Sequence, residues 1–527
     1  MQSSWRRHEL PSASATGVCQ ASIPSICRRS CFERWRSASA LIRSWWTTLS
    51  GADAKILNPN GGAIALGRPL GGSGARLMTT LVYHMRDKGI CYGMQTMCEG
   101  GGQANATNLE LLLDRPYPTA RSGAAMDETH YDQFRKTIIS AIWHELAPLA
   151  DEIEEHEELP YDRLFPALRE MRAFALTTPQ HYGGLGLTMT QYVPIIAEFA
   201  KVHGGIRALV HVHNSFAHAL FELGNERQRA DLLPGCADGT KSIAFALTEP
   251  DHGTGSDVGT SASLQADEYV IEGRKWLITN SDFASHFIVI CKVADRPSAI
   301  LVERDRAGLT IEPLPELMGC KGGAHGLLTF KQVSVPRANL IGDEGRGLAA
   351  MEQALEISRV LVAASSLGTA ERALDLSLNF AKARVTFGRP ISDRQAVQRY
   401  IAEMTVDVHA LRLLLADATA KSDAGKRIPA EASICKLFGL EAVGRVTDRA
   451  LLVHGGIGYT RRHQVERLYR DARLNWLEEG TPTIQHLVIA REALNGAFPS
   501  GRDACRPASD LPVAGTGPSR SRGQAVR

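Results

Sequence analysis

The sequence predicts an α+β protein: an N-terminal helical domain, a small β-barrel or sandwich in the middle, and a C-terminal domain resembling a four-helix bundle. Two patterns indicate this order. Residues 130–240 and 346–498 repeat apolar side chains at helical spacing, whereas residues 241–340 contain short β-branched segments separated by turn residues. The chain has 527 residues, which is enough for several domains.

The composition excludes several classes of protein. Lys and Arg number 59 against 57 Asp and Glu, and this near-neutral balance argues against a nucleic-acid binder. No run of 18 apolar residues is present, so we expect no membrane span. The ten cysteines include no CxxC pair, so we predict neither a metal site nor a disulfide framework.

Both ends of the chain differ from the rest. Residues 1–50 are rich in Arg and Ser and contain only two acidic residues. Such a start is typical of a mitochondrial transit peptide, but Pro11 and Pro24 interrupt any long helix, so we favour a disordered extension. Residues 499–527 are rich in Gly, Pro, Ser and Arg and are also predicted to be disordered.

A glycine-rich segment, residues 51–112, follows the extension. It contains NPNGGAIALGRPLGGSGARL and CEGGGQ, with a predicted helix over Ala75–Lys88 and a predicted strand over Tyr92–Met97. The segment resembles the C-terminal end of thiolases. Arg68 stands where thiolases have a catalytic His and cannot act as a base, although Cys98 matches their proton-transfer Cys. The nucleophilic half of a thiolase is missing, so we expect no thiolase activity.

Residues 126–240 form the predicted N-terminal helical domain, and Met126 marks its expected beginning. Apolar residues recur on one helical face from Ile138 to Leu149. Further helices are predicted over Tyr161–Phe174 and Thr190–Val202, because Pro and Gly signals bound them.

The remaining elements follow from the same two patterns. In the middle β domain, residues 241–345, the predicted strands are Tyr269–Ile271, Trp276–Ile278, His286–Lys292, Ala299–Glu303, Leu309–Glu312 and Leu327–Val333. In the C-terminal domain, residues 346–498, the predicted helices are Gly347–Ala383, Arg394–Asp423, Pro429–His454, His463–Trp476 and Pro482–Leu494.

Five short motifs carry the candidate chemistry. Each one alone is explained by a turn or a helix cap. They are TEPDHGTGSD at 248–257, GRKWLITN at 273–280, RVTFGRP at 384–390, HGGIGY at 454–459 and EGTPTIQ at 479–485. In this order, on a helix–β–helix frame, they resemble the acyl-CoA dehydrogenase family throughout residues 126–498.

The resemblance implies FAD-dependent α,β-dehydrogenation of an acyl-CoA thioester. It makes Glu479 the base that removes the α proton while the β hydrogen leaves as hydride to flavin N5. Burial suits this role, because it raises the pKa of a carboxyl group. Some relatives carry the base directly before an Arg on an earlier helix, but that position is Ser358, before Arg359. Glu478 replaces the usual Tyr beside the base, and a second carboxylate favours a still higher pKa.

The resemblance also implies the contacts with cofactor and substrate. The FAD contacts are Phe245, Leu247, Thr248, Ser256, Ile278, Thr279, Arg384, Phe387, Gln395, Gly455, Gly456, Thr481 and Thr483. The substrate contacts are Ser256, Ser358, Arg359 and Gly480. The group from Arg384 to Gly456 binds the FAD of a neighbouring subunit in the family. A homo-oligomer, usually a tetramer, is therefore expected, with electron-transferring flavoprotein as electron acceptor.

Alternative functions stay open at this stage. An acyl-CoA oxidase would use O₂ as acceptor, and a non-catalytic fusion protein would keep the fold without the chemistry. A DNA-associated relative would need a basic C-terminal domain, which the short tail does not supply. Acyl chain length depends on helix packing around Leu209–Leu223 and Met351–Ser358. The thiolase-like segment beside a dehydrogenase favours a bacterial cytoplasmic enzyme, and residues 1–50 keep the mitochondrial matrix as the alternative.

Overall fold

The computed structural model describes residues 126–252, 257–314, 317–323 and 325–497, together with two earlier strands. The chain divides into two compact units, Met1–Pro118 and Thr119–Arg527. In the first unit, strands β1 (Tyr92–Gly100) and β2 (Gln103–Glu110) pair antiparallel. The strand predicted over Tyr92–Met97 is therefore confirmed and three residues longer. The predictions for Ala75–Lys88 and for both chain ends lie outside the described residues.

The second unit begins with a helical domain. Its helices are α1 (Glu128–Ala141), α2 (Leu149–His156), α3 (Tyr161–Glu170), α4 (Met189–Val202), α5 (Gly204–Leu223) and α6 (Glu226–Asp238). A π-helical turn, Ile142–Leu146, follows α1. Helix α3 ends at Glu170 rather than at the predicted Phe174, because Arg172 adopts a left-handed φ of 58°.

Helix α5 is buried along almost its whole length. Only His218 and Glu222 among its residues keep partial exposure. A helix buried on all sides is normally apolar, yet α5 carries Arg207, His211 and His213. Buried polar groups need hydrogen-bond partners, so these side chains must be paired inside the protein.

The middle domain is a mixed sheet of eight strands. They are β3 (Ile243–Ala246), β4 (Ser261–Gln265), β5 (Glu268–Ile278), β6 (His286–Val293), β7 (Arg296–Glu303), β8 (Leu309–Pro313), β9 (Gly326–Pro336) and β10 (Leu340–Ile341). The hydrogen-bonded order is β10-β7-β6-β4-β5-β9-β8, and β3 pairs parallel with β6. The two strands predicted over Tyr269–Ile271 and Trp276–Ile278 are one strand, since a register shift beside Gly273 carries β5 past the expected turn.

The C-terminal domain returns to helices. They are α7 (Gly347–Ala383), α8 (Gln395–Asp423), α9 (Pro429–His454), α10 (Val465–Asn475) and α11 (Pro482–Leu494), with the two-residue strands β11 (Val385–Thr386) and β12 (Arg389–Pro390) between α7 and α8. The predicted bounds of α7, α9 and α11 are confirmed. In the part of the chain that the structure describes, no helix has the length and apolar character needed to cross a bilayer.

Helix α7 connects the two helical domains, because it packs against helices of both. Helix α7 packs against α9 and α8 on one side and against α4 and α5 on the other. One apolar core continues from α1 through α4 and α7 to α10. A second core joins α5 and α6 to β3 and β6. Helix α5 therefore lies between the sheet and α7, facing the connection from α10 to α11.

Candidate active site

Glu479 lies in the turn between α10 and α11, in a left-handed backbone conformation. Its φ is 53°, and that of Gly480, the next residue, is 93°. Glycine adopts such angles freely, whereas they cost another residue about 1–2 kcal/mol. The turn thus presents the Glu479 side chain at the expense of local strain, which the surrounding contacts must offset.

Three side chains from three helices hold the carbonyl groups of this turn. Lys436 of α9 donates from Nζ to the carbonyls of Glu478 and Gly480. Gln485 of α11 donates to Gly480 O at 2.9 Å and to Glu479 O at 3.3 Å. Arg359 of α7 donates from Nε to Glu479 O at 3.4 Å. These donors fix the backbone of the turn, and Glu479 as a residue is half-buried.

The surroundings of Glu479 shift its pKa in both directions. Burial raises the pKa of Glu479, and the negative charge of Glu478 raises it further. A hydrogen bond from Ser358 lowers it, as do the positive charges of Lys436 and Arg359. The balance is a raised pKa, as a base that works near neutral pH requires.

Glu478 points away from its neighbour and pairs with a buried arginine. Arg207 Nη1 of α5 donates to both carboxylate oxygens of Glu478, at 2.9 and 3.1 Å, and Nη2 donates to Asn475 Oδ1 at 2.9 Å. The Arg207 side chain is 2% exposed. Although burial opposes it, this pairing lowers the pKa of Glu478. The second carboxylate therefore stays charged beside the base.

Two buried histidines complete this polar layer. His211 Nε2 lies 2.8 Å from Ser358 Oγ, and His211 Nδ1 lies 3.3 Å from Arg207 Nη1. His325, which precedes β9, has no partner at Nδ1 within the described residues. Burial lowers the pKa of both His211 and His325 to about 4, so both rings are neutral at pH 7. Arg207, His211 and Lys436 belong to no sequence motif, so their place in the site was not predicted from the sequence.

A cavity of about 460 Å³ lies apart from this layer, and neither Glu479, Ser358 nor His211 lines it. It is bounded by α5, by the first turns of α7 and by the connection from α8 to α9. Lys426 and Arg427 lie at its edge, and Arg427 also binds Glu356 through Nε at 3.0 Å. The cavity reaches Ile357, the residue before Ser358. Its charged side chains are of both signs, since Glu222, Glu356 and Asp423 line it together with Lys426 and Arg427.

The residues predicted to contact the flavin ring lie at two neighbouring strand ends. Leu247 and Thr248 follow β3, Thr279 follows β5, and Trp276 N donates to Thr248 O at 2.8 Å. Ile278 is buried beneath them, whereas Leu277 is 37% exposed with a φ of 55°. Half-exposed apolar side chains bordered by hydroxyl groups fit a planar ring with polar edges.

Of the four other predicted flavin contacts, three lie within the described residues. Phe245 stacks on Phe216, with ring centroids 4.5 Å apart, so its ring is partly committed to the core. Thr481 and Thr483 are exposed at the start of α11, next to the base. Ser256, which was predicted to contact both FAD and substrate, lies outside the described residues.

The predicted nucleotide contacts lie far from Glu479. Along α7, 26 residues separate Ser358 from Arg384, which at 1.5 Å per residue is about 39 Å. Arg384 and Gln395 are exposed, Phe387 is 96% exposed, and Gly455 borders open space. Gly456 has the same open surroundings. The structure thus brings Glu479, Gly480, Ser358 and Arg359 together and keeps this second group at the other end of the bundle.

The fold and the site define a class of protein. A carboxyl group with a raised pKa and half-exposed apolar side chains at two strand ends, on a helix–sheet–helix frame, fit a flavin-dependent oxidoreductase. Comparison with known families agrees. The N-terminal, middle and C-terminal domains of acyl-CoA dehydrogenase match residues 128–240, 244–333 and 345–494. The chain belongs to the acyl-CoA dehydrogenase family, and the C-terminal domain of thiolase matches residues 38–111.

The match to individual relatives extends over most of the relative's length. The acryloyl-CoA reductase (NADH) of Anaerotignum propionicum is 35% identical over 66% of this chain and 91% of its own. A subunit of the caffeyl-CoA reductase–Etf complex of Acetobacterium woodii is 33% identical over 65% of this chain and 92% of its own.

Solved structures agree with this assignment. Butyryl-CoA dehydrogenase from Megasphaera elsdenii superimposes with a TM-score of 0.67 at 30% identity, over 69% of this chain and 98% of that one. An acyl-CoA dehydrogenase from Bacillus anthracis complexed with FAD superimposes with a TM-score of 0.66 at 30% identity. The superposition covers 71% of this chain and 69% of that one. The predicted fold class and FAD as cofactor are confirmed.

Proposed function

We propose that this protein catalyses FAD-dependent α,β-dehydrogenation of an acyl-CoA thioester, with Glu479 as the base. The observation that carries the proposal is the Glu479 carboxylate itself, held in a strained turn by Lys436, Gln485 and Arg359 and given a raised pKa by burial. A carboxylate with this pKa removes a proton that a neighbouring thioester has acidified.

Each residue of the proposed site has a separate role. FAD, when bound, supplies the hydride acceptor. Glu479 takes the α proton, and its backbone N–H is the expected donor to the thioester oxygen, where negative charge develops. Lys436 keeps both groups in place through the carbonyls on either side.

The partners and the assembly belong to the same proposal. The exposed nucleotide contacts around Phe387 and Gly455 complete the FAD site of a neighbouring copy, which supports a homotetramer. A relative that is part of a complex with an electron-transferring flavoprotein supports that class of electron acceptor. We place the enzyme in the bacterial cytoplasm.

Anaerobic titration of the yellow holoenzyme with acyl-CoA thioesters tests this function. We expect the flavin absorbance to bleach in the wild type and in Glu344→Gln. This control lies in the turn between β10 and α7, where Glu344 accepts a hydrogen bond from Tyr269 at 2.8 Å. Glu479→Gln should keep its flavin and lose bleaching by at least about a thousandfold. If Glu479→Gln bleaches at the wild-type rate, Glu479 is not the base. If no thioester bleaches the wild type, the proposed reaction is wrong.

A second candidate is the reverse reaction, reduction of an enoyl-CoA. The relative named acryloyl-CoA reductase favours it, and so does the raised pKa of Glu479, since the reverse step needs a protonated carboxyl group. Reoxidation of the chemically reduced holoenzyme by enoyl-CoA, compared with bleaching of the oxidised form by acyl-CoA, measures which direction is faster.

A further inference from the structure

A series of polar side chains leads from α5 to Glu479. Arg207 Nη1 lies 3.3 Å from His211 Nδ1, and His211 Nε2 lies 2.8 Å from Ser358 Oγ. The Ser358 hydroxyl in turn lies close enough to the Glu479 carboxyl group to lower its pKa. His211 and Ser358 are fully buried and Arg207 is 2% exposed, so water does not compete for these bonds. All members of the series come from helices outside the turn that carries the base.

The direction of every bond in the series follows from its first member. A guanidinium group only donates hydrogen bonds, so His211 Nδ1 must be the acceptor. The single proton of the neutral ring therefore lies on Nε2 and is donated to Ser358 Oγ. Ser358 has one proton of its own, and with its oxygen already accepting from His211, this proton is directed to Glu479.

We infer that His211 and Ser358 are positioning residues for the base, forming a one-way hydrogen-bond chain that delivers one donor to the Glu479 carboxylate. This inference rests on the proposed role of Glu479. The chain fixes the rotamer of the carboxylate and favours its charged form, which is the form that accepts a proton. The neutral state of His211, whose pKa burial lowers to about 4, keeps the direction unchanged across the working pH range.

Other charges also face Glu479, and the test must separate them from the chain. Glu478 lies beside it in the turn, Lys436 approaches from α9 and Arg359 from α7. None of the variants used below changes these three residues. The matched control is Ser365→Ala, since Ser365 is a buried hydroxyl on the same helix that donates to Leu361 O at 2.9 Å.

The experiment measures the pH dependence of flavin bleaching by saturating acyl-CoA in the holoenzyme. We expect Ser358→Ala to move the acidic limb of the profile up by about one pH unit, because a hydrogen bond to a charged group is lost. His211→Phe should move it less, in the same direction. The double variant should match Ser358→Ala alone, because His211 acts only through Ser358. Ser358→Thr should restore the wild-type profile, and Ser365→Ala should not alter it.

Two results would overturn the inference. One is a Ser358→Ala profile identical to that of the wild type, and the other is additive shifts in the double variant. The wild type alone provides an independent check that needs no variant to fold. In ¹⁵N-histidine NMR, His211 should remain neutral with its proton on Nε2 from pH 5 to pH 9, by the bond directions above. A proton on Nδ1, or a charged ring, contradicts the chain. Failure of the proposed function is distinct, since Glu479→Gln would then still bleach.

Discussion

Replacing Arg207 by methionine tests how the charged layer beneath the base is balanced. Methionine keeps much of the side-chain volume but removes the charge and all donors. Glu478 loses both bonds from Nη1, and Asn475 loses the bond from Nη2. Lys436 and His211 remain near Glu478, but Lys436 is already bonded to backbone carbonyls and His211 is neutral.

The structure sets the expected size of the effect. Removing one partner of a buried ion pair costs about 3–5 kcal/mol, because the other charge stays buried without compensation. Glu478 keeps 15% side-chain exposure, which places this pair near the lower limit. We expect Arg207→Met to lose about 3 kcal/mol in the free energy of unfolding. Arg207→Met combined with Glu478→Leu should lose much less, since a well-packed apolar pair of similar volume is roughly neutral.

Denaturant titration at pH 7.5 measures these values for the wild type, both single variants and the double variant at one protein concentration. Arg227→Met serves as the control, because Arg227 is 80% exposed and pairs with Asp231 across one helix turn. Its change should stay within about 0.5 kcal/mol. If Arg207→Met loses less than about 1 kcal/mol, or if the two substitutions are simply additive, the pair does not bear the buried charge as described.

Two further expectations concern pH and assembly. Stability should fall as pH drops from 6.5 to about 4, by up to roughly 3 kcal/mol for each of His211, His213 and His325, because the unfolded chain binds protons that the folded one excludes. Unfolding titrations at pH 7 and pH 5 measure this loss. Phe387→Asp should dissociate the proposed oligomer and lower its flavin content, and an unchanged sedimentation coefficient would contradict this expectation.

Local signals explain which parts of the fold the sequence predicted. Helices α7, α9 and α11 have the expected bounds, because Pro429 and Pro482 begin two of them and Gly455 follows α9. The continuation of β5 through Gly273 was not predictable, because a glycine at this position indicates a turn unless the pairing with β9 is known. Element type follows from neighbours in sequence, whereas the path of a strand depends on pairing across the sheet.

In the candidate site, too, some residues were predicted from the sequence and others were not. Glu479 and Ser358 were identified because they occupy motif positions, whereas Arg207 was not. Arg207 and Glu478 are 271 residues apart in sequence, and nothing local marks either as half of an ion pair. Lys436 likewise reads as an ordinary charge on a helix. Residues that support a base come from whichever elements pack against it, so they lack the short-range spacing that makes a motif.

The position of Lys436 explains how a glutamate tolerates a conformation that favours glycine. Lys436 is fully buried, and its ammonium group bonds to the carbonyls of Glu478 and Gly480 rather than to a carboxylate. Charge-assisted bonds of this kind are each worth about 1.5–3 kcal/mol, which exceeds the strain of about 1–2 kcal/mol at Glu479. The Glu478 carbonyl belongs to the peptide group that carries the Glu479 N–H, so helix α9 fixes that peptide group directly. The N–H is thereby held in one place, as its proposed role in polarising the thioester requires.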